Sequence, residues 1–338
     1  MNRESVMHPF KLRTLACLVA IGLAGLSVPE AKAQQVLWVG NDNVAGGSQQ
    51  YTLPISGSST PNFTVVSSNV VAVAQDGSGN LVMGDFLGQL KFFTAPLSGA
   101  STASATFANG AGPNTGEFAF TPAGDFFVGT VGTAVNKFTH PFSNASAPSQ
   151  VITTAGMTSA IGVALDAAQN MYISDGGGSG SSIFVLAPPY TGAPIHTPAI
   201  SGKFYRKVAV SATQLFVADV SGATGRVDVY NLPLTAVSAP AFSITSGTNT
   251  PEAVALDASG NLYVGNLGNS TVTVYSSPFS AASAPVTTMT AAGSPSIFGI
   301  AIGSTVGSPS VPAFSRMGLM ALCALLMVIG LVAVRTKS

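Results

Sequence analysis

Six side chains able to hold a ligand recur at one position of a repeating pattern: Asn41, Asp85, Thr130, Asp175, Asp219 and Asn266, each closing a short apolar run. Carboxylates and amides gathered in a ring present oxygen donors, of which Ca²⁺ takes about six to eight, and the same groups would bind the hydroxyls of a glycan. Asp or Asn at a strand end also hydrogen-bonds the backbone of the turn that follows, and recurrence at one repeat position is what a structural requirement of the unit would produce. Glu117, Arg206, Lys207 and Glu252 open other apolar runs. The candidate ligand contacts are Asn41, Asp85, Asp175, Asp219, Glu252 and Asn266, with turn capping as the competing role. No catalytic residue or cofactor is assigned, beyond a Ca²⁺ ion that these oxygens would suit.

Other chemistry is thinly supplied. Between residues 34 and 310 the histidines are His140 and His196, both in loops beside repeated prolines, and there is no cysteine to act as a nucleophile. No His-x-x-x-His or Cys-x-x-Cys spacing offers a metal site. The stretch Asp175 to Gly180 is glycine-rich but joins two strand patterns. It therefore opens no helix whose N-terminus would receive phosphate. Asp76, Asp166 and Asp257 each precede a tight turn and read as Asx turns.

The elements that must position these residues follow from self-similarity. Val254 to Asn266 (Val-Ala-Leu-Asp-Ala-Ser-Gly-Asn-Leu-Tyr-Val-Gly-Asn) recurs as Val163 to Asp175 and Val73 to Asp85, and more loosely as Phe118 to Thr130 and Val208 to Asp219. A second marker is an apolar strand that runs into a proline, at Pro54, Pro96, Pro141, Pro188, Pro233 and Pro278. Each unit of about 45 residues reads as strand, tight turn, strand, loop, strand, Pro-Ser loop, strand, which makes one propeller blade. The expected fold is all-β, a six-bladed β-propeller of four-stranded blades. The chain enters at a second strand, Leu37 to Asn41, and ends on an orphan first strand, Phe298 to Ile302, so pairing these two completes the sixth blade and leaves no open ring. Strand starts and second-strand ends then meet on one face around the channel, which is the candidate site.

These units resemble NHL repeats and related six-bladed propellers, with Pro251 to Asn266 as the best copy. The resemblance implies a fold more than an activity. The expected function is a non-enzymatic surface module binding a glycan, a protein or matrix. The alternative is a gluconolactonase-like or streptogramin-lyase-like enzyme. Its implied metal, bound by scattered acidic and amide groups, would draw on Glu252, Asp85, Asp175, Asp219 or Asn266.

Two apolar ends frame the repeats. Lys11 and Arg13 precede an apolar run, and Ala31-Lys32-Ala33 puts small residues at a cleavage site, so residues 1–33 read as a signal peptide. Residues 34–305 are the propeller and 306–312 a linker with a sorting motif. A membrane helix follows at 313–334, uncharged from Met317 to Val334, with a basic cytoplasmic tail at 335–338. Val311, Pro312, Ser315 and Gly318 resemble the IPTL-CTERM sorting signals, which implies processing by an exosortase-type enzyme in a bacterial cell. Ala313, Phe314 and Met317 depart from that pattern. The expected location is outside the cytoplasmic membrane, in the periplasm or at the cell surface, with the membrane as a partner. Both cysteines, Cys17 and Cys323, fall in the apolar ends, so no disulfide can form within the repeats. With 46% hydrophobic and only 8% charged residues the chain is not of disordered type. Residues 34 to 310 carry eleven acidic against six basic groups, which excludes the basic stripe a nucleic-acid binder needs.

Overall fold

The computed structural model describes residues 33–42, 46–177, 180–293 and 296–305, though not the side chain of His196. The expected signal peptide, the sorting residues Val311, Pro312, Ser315 and Gly318, the membrane helix and the basic tail lie in segments outside the described residues. Among the described residues no helix is long and apolar enough to cross a membrane.

The described strands form six four-stranded antiparallel sheets, numbered β1 to β24 along the chain, and the protein is a six-bladed β-propeller. Five blades are built from consecutive strands. The inner strands are β4 (Val70–Gln75), β8 (Phe118–Phe120), β12 (Ala160–Leu165), β16 (Tyr205–Val210), β20 (Pro251–Leu256) and β24 (Ile297–Ser304). Each touches the next around the ring, and together they line a central channel. The sixth blade is shared as expected: β24 pairs with β1 (Gln35–Asn41), Trp38 lying opposite Ala301, and two further strands complete the sheet. Closure among the described residues therefore takes place by strands of the compact unit 34–306.

The apolar runs follow from burial on both faces of every blade. Along β1, Leu37 and Val39 pack toward Tyr263, Val272 and Met289 of the preceding blade, whereas Val36 and Trp38 pack toward Val73, Met83 and Phe93 of the following one. Alternate residues thus serve two interfaces, so the strand needs an unbroken hydrophobic sequence. Each large side chain so buried contributes about 1.5–3 kcal/mol. One interface is aromatic: Phe126 lies 5.2 Å from Phe138 and 5.0 Å from Phe142, centroid to centroid.

The tight turns behave as read. Asp76 Oδ1 accepts the N–H groups of Ser78 and Asn80, and the Asn80 side chain donates to Asp76 Oδ2 at 2.8 Å. The Asp166–Asn170 and Asp257–Asn261 pairs repeat the bond at 2.8 Å. Three residues on from Asp76, Thr121 and Asp257 the turn ends on a glycine with φ near 80°, Gly79, Gly124 and Gly260, while Gln169 takes φ 65° after Asp166. Each proline marker follows a cis peptide bond, with one correction: in the Pro188-Pro189 pair it is Pro189 that does so.

Candidate functional site

A β-bulge at the start of the inner strands builds the channel mouth. Val70 pairs with Asp85 and Ala72 with Gly84, so Val71 is left out of the ladder. The same skip leaves out Ile161 in β12, Glu252 in β20 and Phe298 in β24. In β16 the pairing jumps from Tyr205 to Val208 and passes over both Arg206 and Lys207. A bulge turns a side chain away from the sheet. Here the extra residues point into one cavity of about 250 Å³, lined by Val71, Ile161, Arg206, Lys207, Glu252 and Phe298 from these positions and by Phe86, Asn114, Thr115 and Val131 from adjoining loops.

The floor of this cup is a plug of two charges. One residue past the bulge the strands carry Ala72, Gly162, Ala253 and Gly299, but Glu117 and Lys207 at the two remaining places. The small residues leave room for the long ones. A Cβ on Gly162 would come within 2.6 Å of the Arg206 carbonyl, and one on Gly299 within 3.2 Å of Lys207 Nζ. Glu117 Oε2 reaches across the channel to accept the N–H groups of Val163 at 3.1 Å and Val208 at 2.9 Å. Lys207 Nζ reaches the other way and donates to the carbonyls of Val71 and Phe298.

Above this floor Arg206 Nε lies 3.3 Å from Glu252 Oε2. The ion-pair distance is short, yet Arg206 Nε has no partner in hydrogen-bond geometry. The two side chains form an ion pair in the cavity wall. Burial raises the pKa of Glu252, opposed by the attraction of Arg206 and Lys207. Burial likewise raises Glu117, against Lys207 and the two backbone donors, and lowers Lys207, against Glu117 and Glu252.

Of the six contacts expected from the sequence, only Glu252 lines the cavity. Asn41 is buried. Asp85 Oδ1 accepts the N–H groups of Leu87 and Gln89, at 2.9 and 2.8 Å. Asp175 takes those of Thr158 and Ser159, and Asn266 that of Asn249. Asp219 accepts from Phe204 and Ser221 and is bridged by Lys203 at 3.0 Å and Arg226 at 2.9 Å. These oxygens hold loops in place. Among the described residues no three His, Cys, Asp or Glu side chains gather where a metal ion could sit. Of the six expected contacts only Glu252 faces the cavity, so these six do not gather as the ring of oxygens expected for Ca²⁺. Sequence reasoning placed Arg206, Lys207 and Glu117 near this face but not in the site; the available signal was a charge inside an otherwise apolar inner strand.

No protein-family model matches the sequence, and no curated protein is similar to it at the sequence level. Solved structures are similar in fold. A periplasmic gluconolactonase of Pseudomonas aeruginosa is 13% identical with a TM-score of 0.59, covering 81% of this chain and 99% of its own. A protein of Lactobacillus plantarum is 13% identical with a TM-score of 0.57, over 80% and 100% of the two chains. A gluconolactonase of Xanthomonas campestris, again 13% identical, has a TM-score of 0.50 over 74% and 86%. At this identity the likeness establishes the propeller fold. Two of these propellers are named gluconolactonases, which runs against the non-enzymatic binding module and the leaning against catalysis expected from the sequence.

Proposed function

We propose that the mouth cavity is the active site of a lactonase-type hydrolase. The observation that carries this reading is the gathering, around one cavity, of a buried carboxylate of raised pKa and the two cations Arg206 and Lys207. Glu252 takes a proton from water, whose oxygen attacks the lactone carbonyl carbon. The negative charge that develops on the carbonyl oxygen is met by Arg206 and Lys207. Collapse of the tetrahedral intermediate breaks the ring carbon–oxygen bond, and the proton held by Glu252 passes to the departing alkoxide. Lactone and water thus become one hydroxy acid. The test is a pH-indicator assay of residues 34–306 on five- and six-membered lactones. The reading expects saturable hydrolysis above the uncatalysed rate, and a rate equal to the buffer blank on every lactone would overturn it.

The site is proposed to work outside the cytoplasmic membrane. The NHL-like repeats, the signal-like residues 1–33 and the IPTL-CTERM-like tail with its apolar 313–334 segment support an exported propeller held at the membrane and processed by an exosortase-type enzyme. N-terminal sequencing of the protein from a bacterial membrane fraction is expected to start at Gln34; a start at Met1 in the cytosol would contradict the proposal.

A further inference from the structure

The walls of the cup are less polar than its floor. Val71, Phe86, Val131, Ile161 and Phe298 face the cavity above the charged groups. Phe86 and Phe298 meet edge to face at 5.2 Å, Phe86 stays 38% exposed, and the neighbouring Leu87 is 71% exposed. A large apolar surface left open beside a polar centre calls for something to cover it.

A second observation is independent of exposure. Val131 has φ 53°, the left-handed region that glycine and asparagine enter readily and a β-branched residue resists. Its N–H donates to the Ala160 carbonyl at 2.9 Å, which holds it there. Strain of this kind persists where the surroundings impose it, and it collects at ligand sites. Glycine would relieve it, but would remove an isopropyl group from the cavity wall.

We infer that the cavity selects lactones carrying an apolar substituent, the hydrocarbon lying against Phe86, Val131 and Phe298, over polyhydroxylated sugar lactones. The inference rests on the reading of this cavity as a lactone site. A sugar lactone would set against Val71, Phe86, Val131, Ile161 and Phe298 those hydroxyls that Asn114, Thr115 and the charged groups do not meet, whereas each methylene buried there tightens binding roughly fourfold.

Calorimetric titration of residues 34–306 with 4-hydroxybutyrate, 4-hydroxyhexanoate, 4-hydroxynonanoate and gluconate tests it, because these are ring-opened products and need no turnover. Affinity should rise roughly fourfold per added methylene until the cup is filled, and 4-hydroxynonanoate should bind more tightly than gluconate. Phe86→Ser and Val131→Gly should each flatten that rise, with Val131→Gly melting at a higher temperature than the parent. A flat series, or gluconate binding as tightly as 4-hydroxynonanoate, would overturn the inference. Lactone hydrolysis measured in parallel separates the two claims: chain-length-dependent binding without hydrolysis sustains the apolar subsite and removes the active-site reading.

Discussion

Two charged clusters lie side by side around β16, and they differ in what their charges meet. In the first, Lys203 bridges Asp219 and Asp228, Arg226 reaches Asp219 at 2.9 Å, and the hydroxyl of Tyr205 joins Asp228 at 3.1 Å and Tyr230 at 2.7 Å. Ser243 takes the other Asp228 oxygen. The network is closed, and Asp219 and Asp228 are fully buried within it. In the second, Arg206, Lys207 and Glu252 face a cavity, and Arg206 Nε is left without a hydrogen-bond partner. Saturated charge holds a fold together, whereas charge aimed at open space is available to a ligand. The same contrast separates Asp175, whose oxygens are taken by loop N–H groups, from Glu252.

If the difference is real, the two clusters respond oppositely to substitution. Arg206→Ala should lower kcat on a lactone by about 100- to 1000-fold, the usual loss for one donor to a developing oxyanion, and leave the melting temperature nearly unchanged. Asp228→Ala should do the reverse, costing about 1–3 kcal/mol in a urea melt by removing the buried acceptor of the Tyr205 and Ser243 hydroxyls and one of the two partners of Lys203, with turnover preserved at temperatures where the variant is folded. Equal effects of both changes on activity would erase the distinction.

A subtler contrast is in pH. The folded pKa of Glu252 is raised, so its contribution to stability is fully present below the ordinary value of 4.5 and is lost as pH rises through the folded pKa. Asp219 has the opposite sign. Burial pushes it up, but bonds from Ser221, Lys203 and the Phe204 N–H outweigh that and hold it down. Its contribution is present above the ordinary value of 3.8 and is lost as pH falls through the folded pKa. Glu252→Gln should therefore gain stability over the parent as pH rises above the ordinary value of 4.5, whereas the deficit of Asp219→Asn should be constant above the ordinary value of 3.8 and shrink as pH falls below it; thermal melts on both sides of those values read both.

The smallest effect belongs to the far face. Asp257→Ala removes hydrogen bonds to Ser259 and Asn261 in one exposed turn, so it should cost about 1–2 kcal/mol and leave kcat and KM as they were.

The fold was legible because a propeller repeats its demands. Asp76, Asp166 and Asp257 mark equivalent turns, the apolar runs mark buried strands, and the offset between Leu37 to Asn41 and Phe298 to Ile302 announces the shared blade. The site was legible only to within a residue or two. Alternation along a strand says which face a side chain takes, and a bulge breaks that count. Asp85, Asp175, Asp219 and Asn266 end the second strands beside the mouth, yet the bulged Arg206, Glu252 and Phe298 are the residues that reach it. Nothing in the residue types foretold that Asp219 would be saturated by Lys203 and Arg226, because those bonds depend on where two loops meet. Nor did any motif pick out the residues of the proposed lactone chemistry, for which Arg206 and Lys207 come from one blade and Glu252 from the next.

The central claim is that Glu252 is the base of a lactone hydrolase, and the pH–rate profile of residues 34–306 against Glu252→Gln tests it most directly. The account predicts that kcat/KM on a γ-lactone falls as pH drops through a pKa above the ordinary carboxylate range. The Gln variant should lose about 100- to 10,000-fold of the rate together with that limb of the profile. A Gln variant that keeps the parent's rate and profile would contradict it.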